Sequence, residues 1–364
     1  MQFPGWDPVL FDLPIPGLPI DVRWYGLMYV VAFLCAQWIM VRLARRGFFS
    51  VPPQQAPDLI LYTVVGVMLG GRLGYAMFYD QGLLNPVQFL QVWKGGLAFH
   101  GGLFGVVVAT WLFARKAQLP WSRVMDTCAL AVTPGIFAVR MANFINGELY
   151  GRVTEAGVGW AMRFPTDPVA MQQLRLSHDW TMRDRELCTQ VAFDHRSWES
   201  VQDQLSQVDA YGRPIDWESV RPFLDWEAAQ EFVPYRHPSQ LYEGLSEGLL
   251  VGIALWLIYR TTRANPLRNG AYAALFLLGY AFARFGIEFV RQPDPQFGAS
   301  GTVLFGMTMG QTLTCAMVVG AGLILLCSRQ RDPLRVVAAP VTDDEKEQTQ
   351  PKKAATKEVG SGRK

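Results

Sequence analysis

Long apolar blocks, separated by short polar segments, make up most of the chain. The first block runs from Trp24 to about Val41, which is long enough for a helix that crosses the roughly 30 Å hydrocarbon core of a bilayer. Blocks of similar length follow at about 57–79, 97–114, 124–146, 240–259, 270–291 and 304–327. This pattern predicts an all-α polytopic membrane protein with about seven transmembrane helices.

The polar segments divide the chain into parts with different expected structures. Residues 1–23 contain several prolines, which prevent a continuous helix and predict an extended arm. Residues 24–151 hold transmembrane helices one to four, and residues 237–328 hold helices five to seven. The segment 152–236 mixes tryptophan with charged residues and predicts an α-rich or irregular, partly ordered head. Residues 329–364 offer little apolar surface to bury and predict a disordered tail.

Lysine and arginine are concentrated in alternate short connections, which predicts the orientation of the chain. They follow the first and seventh blocks and lie between blocks three and four and between five and six: Arg42, Arg45, Arg46, Arg115, Lys116, Arg123, Arg260, Arg263, Arg268, Arg329, Arg331 and Arg335. Short connections rich in these residues remain cytoplasmic. The amino terminus and the head are therefore expected outside, and the carboxyl terminus in the cytoplasm.

Composition narrows the class of function further. The chain has 364 residues, of which 50% are hydrophobic and 18% charged, and its formal net charge is +2. No basic patch interleaved with aromatic residues is present in the sequence, which argues against a nucleic-acid partner. The five cysteines are scattered without paired spacing, so the sequence predicts neither a metal site nor a redox site.

The end of the fourth block is the first candidate for chemistry. Arg140, Asn143, Asn146 and Glu148 follow one another there, and Gly151 closes the segment. Ionisable groups at membrane depth are costly unless they have a partner or a function. We therefore expect this segment to bind a polar ligand at the outer edge of the membrane.

The sixth block carries a second polar group. Tyr280, Arg284, Glu288 and Arg291 are separated by four, four and three residues, which places them on one face of a helix. The structural alternative is an internal Arg–Glu pair that joins helices.

Arg72 lies in the second block. With it, the arginines expected in the outer half of the membrane outnumber the acidic residues expected there. The acids expected near that level are Glu148, Glu288 and, less clearly, Glu243. Because a guanidinium binds phosphate through two hydrogen bonds, this excess predicts a phosphate ligand.

Two further side chains expected near the outer edge of the membrane, His100 and Tyr25, each have two interpretations. His100 lies between the pairs Gly95–Gly96 and Gly101–Gly102, and it is either structural or the proton acceptor of a reaction. Tyr25 belongs either to an interfacial aromatic belt or to the lining of a cavity. The segment His237–Glu243 is interpreted as a positioning element.

Together these motifs resemble those of the prolipoprotein diacylglyceryl transferase family. The resemblance rests on R-x-x-N-F-I-N-G-E-x-x-G at 140–151, R-W-Y-G at 23–26, G-G-R-L-G-Y at 70–75, H-G-G-L at 100–103, H-P-S-Q-L-Y-E at 237–243 and Y-x-x-x-R-x-x-x-E-x-x-R at 280–291. These motifs extend over nearly all of the membrane portion.

The resemblance implies an enzyme of the bacterial inner membrane that needs no cofactor, with the arm and the head in the periplasm. It would move diacylglycerol from phosphatidylglycerol to the lipobox cysteine of a preprolipoprotein. Arg140, Asn143, Asn146, Glu148 and Gly151 would bind the headgroup with Arg72 and Arg291. Arg284 would contact the phosphate, oriented by Glu288, while His100 would act as general base and Tyr25 and Tyr280 would line the pocket.

Two other classes of protein share some of these features. A transporter or flippase for an anionic lipid or solute would also need an arginine-lined cavity, although it would require polar groups toward both membrane faces. A membrane scaffold with a partner-binding head would not need an intramembrane polar stripe.

Overall fold

The computed structural model is mostly helical. The residues that it describes are 3–15, 18–46, 51–78, 81–91, 96–167, 169–170, 226, 230–265, 267–292 and 302–327. The predictions for the disordered tail and for most of the head concern residues outside these ranges.

The principal helices follow the apolar blocks closely. They are α1 (Trp24–Arg45), α2 (Ala56–Phe78), α3 (Pro86–Leu90), α4 (Phe99–Lys116), α5 (Trp121–Ile145), α6 (Ser239–Glu243), α7 (Val251–Thr262), α8 (Ala271–Ile287) and α9 (Met309–Cys327). Short 3₁₀ turns lie at Pro53–Gln55 and Gln81–Leu84, and a π-helical turn, Gly244–Leu250, joins α6 to α7.

Five helical segments in the described part of the chain are long and apolar enough to cross a membrane. They are Trp24–Arg45, Pro53–Met77, Trp121–Ile145, Ser239–Thr262 and Met309–Cys327. The third and sixth predicted blocks correspond to α4 and to the shorter apolar helix α8. The polytopic helical class is thereby confirmed.

Two small sheets qualify the all-α prediction. In the amino-terminal arm, β1 (Val9–Ile15) pairs antiparallel with β2 (Leu18–Arg23), so the extended arm is a hairpin. Near the start of α9, β3 (Thr302–Leu304) pairs with β4 (Met307–Thr308). Prolines in the arm exclude helix but permit extended backbone, which explains the hairpin.

Helices α2 and α4 pack along a seam of glycines. A Cβ on Gly66 would lie 2.6 Å from the carbonyl oxygen of Gly105, and one on Gly74 would lie 2.8 Å from the Cα of Gly101. Only residues without side chains permit two backbones to approach so closely. The seam fixes the position of the first turn of α4, where His100 lies.

Helix α5 lies against α1 on one side and against the π-helical turn and α8 on another. At one end of the molecule, the buried carboxylate of Asp126 accepts hydrogen bonds from the backbone N–H groups of Gly270 (2.7 Å) and Ala273 (2.9 Å) at the start of α8. A carboxylate there satisfies donors that the helix itself leaves unpaired. Helix α5 therefore holds α8 at this end and, at the other end, carries Arg140.

Candidate functional site

Beyond α5 the chain makes a tight polar turn. Gly147 and Leu149 both have positive φ angles, of 64° and 59°. Inside the turn, the side chains of Asn143 (2.9 Å) and Asn146 (3.4 Å) donate hydrogen bonds to the carboxylate of Glu148. These contacts give Glu148 a fixed position beside the end of α5.

The segment that leads into α6 is hydrogen-bonded to this turn. Ser239 Oγ donates to the carbonyl of Leu149 at 2.8 Å, and Gln240 Nε2 donates to the carbonyl of Glu148 at 2.5 Å. The backbone N–H of Gly151 donates to the carbonyl of His237 at 2.7 Å. The interpretation of His237–Glu243 as a positioning element agrees with these contacts.

The residues that follow α8 contact the same polar turn. Arg152 donates from its backbone N–H to the carbonyl of Val290 at 2.8 Å, and Gly151 forms an isolated antiparallel bridge with Arg291. Three motifs that are distant in sequence therefore converge around Gly151. A Cβ on Gly151 would lie 2.9 Å from the Cβ of His237, which explains the need for glycine.

Next to this junction lies an arginine–carboxylate cluster formed by Arg140, Arg284, Arg291, Glu243, Glu247 and Glu288. Glu243 contacts Arg140 at 2.8 Å, Arg284 at 3.3 Å and Arg291 at 3.4 Å. Glu247 lies 3.6 Å from Arg140 and 3.8 Å from Arg284. The Arg284–Glu288 contact, at 3.1 Å, agrees with their four-residue spacing.

The accessible part of the cluster is formed mainly by arginine side chains. The side chains of Glu243 and Glu247 are 0% exposed, whereas those of Arg140, Arg284 and Arg291 are 14–17% exposed. A charged ligand that reaches the cluster would therefore meet arginine first. Tyr280 adds a hydroxyl group that interacts with Arg140 and Glu247.

The cluster corrects one expectation from the sequence and supports another. Its three arginines are balanced by three carboxylates, so the inferred excess of positive charge is wrong for these residues. Helix α8 ends at Ile287, before Arg291, but the backbone N–H of Arg291 donates to the carbonyl of Ile287 at 2.9 Å. The side chains of Arg284 and Arg291 both contact Glu243, as their expected position on one helix face predicts.

Tyr25 lies near the polar turn. It is in the first turn of α1, where its side chain interacts with those of Asn143 and Glu148, and its ring lies 5.4 Å from that of Tyr29. The structure thereby brings Tyr25 together with the motif at residues 140–151.

Arg72 and His100 belong to the neighbouring pair of helices, α2 and α4. The buried guanidinium of Arg72 donates hydrogen bonds to the backbone carbonyls of Gln88 (2.7 Å), Phe89 (3.1 Å), Gln91 (3.2 Å) and Gly96 (3.3 Å). This placement favours a structural role over the predicted phosphate contact. His100 is exposed on the first turn of α4.

Two parts of the site were missing from the sequence prediction. Glu247 was not identified, although it follows Glu243 by four residues inside an apolar block, the same signal that identified Arg284 and Glu288. The buried pair Asp167–Arg236, at the edge of the head, had no recognisable signal because the two residues are far apart in sequence. Arg236 also donates to Gln292 at 3.1 Å and so supports the segment that carries Arg291.

Within the described ranges, His, Cys, Asp and Glu side chains form no group of three or more that could hold a metal ion.

Comparisons with known proteins agree with the motif pattern. The profile of the family described as prolipoprotein diacylglyceryl transferase matches residues 8–327. The phosphatidylglycerol–prolipoprotein diacylglyceryl transferases of Burkholderia thailandensis and Burkholderia mallei are each 37% identical to the chain over 335 residues, which cover 90% of this chain and 96% of each relative. The match includes every element of the site described above, and the chain belongs to the prolipoprotein diacylglyceryl transferase family.

Proposed function

We propose that the protein transfers the diacylglyceryl group of phosphatidylglycerol to the lipobox cysteine thiol of preprolipoproteins. The observation that carries this proposal is the convergence of Arg140, Arg284 and Arg291 at one membrane-edge site in a chain of this family. The names of the relatives specify the same lipid donor and the same protein acceptor.

We also propose where the protein lies and how it crosses the membrane. The protein would lie in the bacterial inner membrane, crossing it about seven times, with α4 and α8 completing the set of spans. The distribution of Lys and Arg supports an outer amino terminus and a cytoplasmic carboxyl terminus. The arginine–carboxylate cluster would then face the outer leaflet.

In the proposed reaction, a thioether bond forms as a carbon–oxygen bond breaks. The cysteine sulfur attacks the glyceryl carbon that carries the phosphate ester, and the electron pair of that bond leaves with glycerol phosphate. Because a thiolate is the reactive form of cysteine, the thiol proton must pass to a base. We assign this step to His100.

The arginines would act on the leaving group. A guanidinium close to the phosphate neutralises the charge that grows on the departing oxygen and lowers the barrier. Arg140 and Arg284 are placed for this role because the buried carboxylates hold them while each keeps an accessible side. Arg291 would guide the anionic headgroup, with Asn143, Asn146, Glu148 and Gly151 shaping the glycerol pocket that Tyr25 and Tyr280 line.

Arg72 receives a different role from the one predicted. We assign it to holding residues 88–91 and Gly96 next to α4, because its guanidinium donates to backbone carbonyls of these residues. It would thereby position His100 without contacting the lipid.

A transport function for an anionic lipid is less well supported. The named relatives are transferases, and the cluster lies at one end of α5 and α8. One assay separates the two functions: purified protein, phosphatidylglycerol with labelled acyl chains, and a lipobox peptide. Label should appear on the cysteine peptide and be absent from a matched Cys→Ser peptide, whereas lipid movement between leaflets without labelled peptide would contradict the proposal.

A further inference from the structure

A pocket lined by arginines lies at the opposite end of the helices from the arginine–carboxylate cluster. A pocket of about 400 Å³ opens between the end of α1 and the end of α7. Four arginines line it: Arg42, Arg46, Arg260 and Arg263. From Glu247 to Arg260 the helical rise is about 20 Å, so this pocket is separate from the candidate active site.

The charged residues that line the pocket are of the kind that binds an anion. None of the described residues that line it is acidic, and Tyr259, with Trp38 and Trp256, completes its wall. Arg42 lies over the ring of Trp38 at 5.2 Å, and Arg260 lies over that of Trp256 at 4.8 Å. These stacking contacts hold two guanidiniums in place and leave their N–H donors available to a ligand.

The surfaces next to the pocket indicate what kind of anion it accepts. On α1, Leu34 and Trp38 precede Arg42 at four-residue spacing and are 60% and 62% exposed. On α7, Ile253 and Trp256 precede Arg260 and are 46% and 49% exposed. Each helix therefore presents an apolar face, then a tryptophan, then an arginine, which is the order of acyl chain, interface and headgroup in a lipid leaflet.

We propose that this pocket binds the phosphate of an anionic phospholipid from the leaflet opposite the candidate active site. Its volume suits a lipid headgroup, and basic pockets between transmembrane helices on the cytoplasmic side bind such groups. A free phosphate ion shares the charge but would make no use of the exposed apolar faces. The bound lipid is a structural ligand and takes no part in transfer.

The test counts lipids retained by the full chain in native mass spectrometry. Detergent-purified protein is titrated with phosphatidylglycerol, and the wild type is compared with Arg42→Gln/Arg260→Gln. The matched control is Arg115→Gln, because Arg115 is also exposed at a helix end and lies over Trp111 at 5.1 Å but does not line the pocket. Phosphatidylcholine with the same acyl chains tests the headgroup, and millimolar inorganic phosphate tests a soluble anion.

The double variant should retain one phosphatidylglycerol fewer than the wild type. Its affinity for that lipid should fall about 25-fold, because each basic residue near an anionic headgroup contributes roughly a factor of five. Arg115→Gln should bind as the wild type does. Equal binding by the double variant, equal loss in Arg115→Gln, equal binding of phosphatidylcholine, or displacement of the lipid by inorganic phosphate would each overturn the proposal. The count does not depend on transfer activity, so it stands apart from the test of the proposed function.

Discussion

The guanidinium of Arg140 lies 2.8 Å from the carboxylate of Glu243, which is completely buried. This contact joins the end of α5 to α6 at the centre of the candidate site. Removing either partner would leave a buried charge without its closest counter-charge, which is costly in a low-dielectric interior. The pair is therefore the first place to test the proposed mechanism.

Arg140→Gln should lower kcat/KM for phosphatidylglycerol by about 100-fold or more, because a guanidinium that stabilises a leaving phosphate contributes several kcal/mol to the barrier. Steady-state transfer to a lipobox peptide measures the effect. Arg115→Gln, far from the cluster, should transfer at the wild-type rate. Normal transfer by Arg140→Gln would refute the headgroup role.

Glu243→Gln should reduce both stability and activity. It removes the carboxylate that contacts Arg140, Arg284 and Arg291 and leaves their positive charges less balanced. Breaking a buried pair costs about 3–5 kcal/mol, so the thermal unfolding temperature in detergent should fall by several degrees. Glu155→Gln, on an exposed turn, is the matched control; an unchanged unfolding temperature for Glu243→Gln would contradict the prediction.

Arg72→Lys should loosen the segment before α4 although it retains the charge. A lysine ammonium has no planar fork of donors and cannot serve the same set of backbone carbonyls. We expect faster hydrogen exchange in residues 86–91 and 96–98 and a lower transfer rate with little change in KM for the lipid. A large rise in KM with unchanged exchange would instead support direct phosphate binding by Arg72.

Gly105→Ala should destabilise the packing of α2 against α4. A Cβ at this position would overlap the carbonyl oxygen of Gly66, so the helices would have to separate at a cost of about 1–3 kcal/mol. Gly102→Ala is the control on the same helix, since its Cβ would lie 3.6 Å from the carbonyl oxygen of Val67, an ordinary contact. Thermal unfolding in detergent should separate the two variants, and equal unfolding temperatures would argue against a close seam.

His100→Gln should lower the transfer rate at neutral pH by about 100-fold, the typical contribution of a general base. The variant should keep the wild-type unfolding temperature because the residue is exposed. Raising the pH should recover part of the lost rate, as more of the peptide thiol ionises without help. Full activity across neutral pH would remove His100 from the proton step.

Local spacing predicted the contacts that form within one helix, and it failed for contacts made by tertiary folding. Arg284 and Glu288 are four residues apart, so their pairing follows from helix geometry. Arg140 and Glu243 belong to distant motifs, and only the packing of α5 against α6 brings them together. Arg72 donates to backbone carbonyls, and such contacts have no signature in the sequence.

The π-helical turn Gly244–Leu250 also sets the rotation of α7 relative to Glu243. A π-helical turn accommodates an extra residue, and each residue of an α-helix rotates the chain by about 100°. Deleting one residue from this turn would therefore swing Trp256 and Arg260 away from the face they share with α1. The π-helical turn thus fixes the angle about the helix axis between Glu243 and Arg260, which lie about 25 Å apart along that axis.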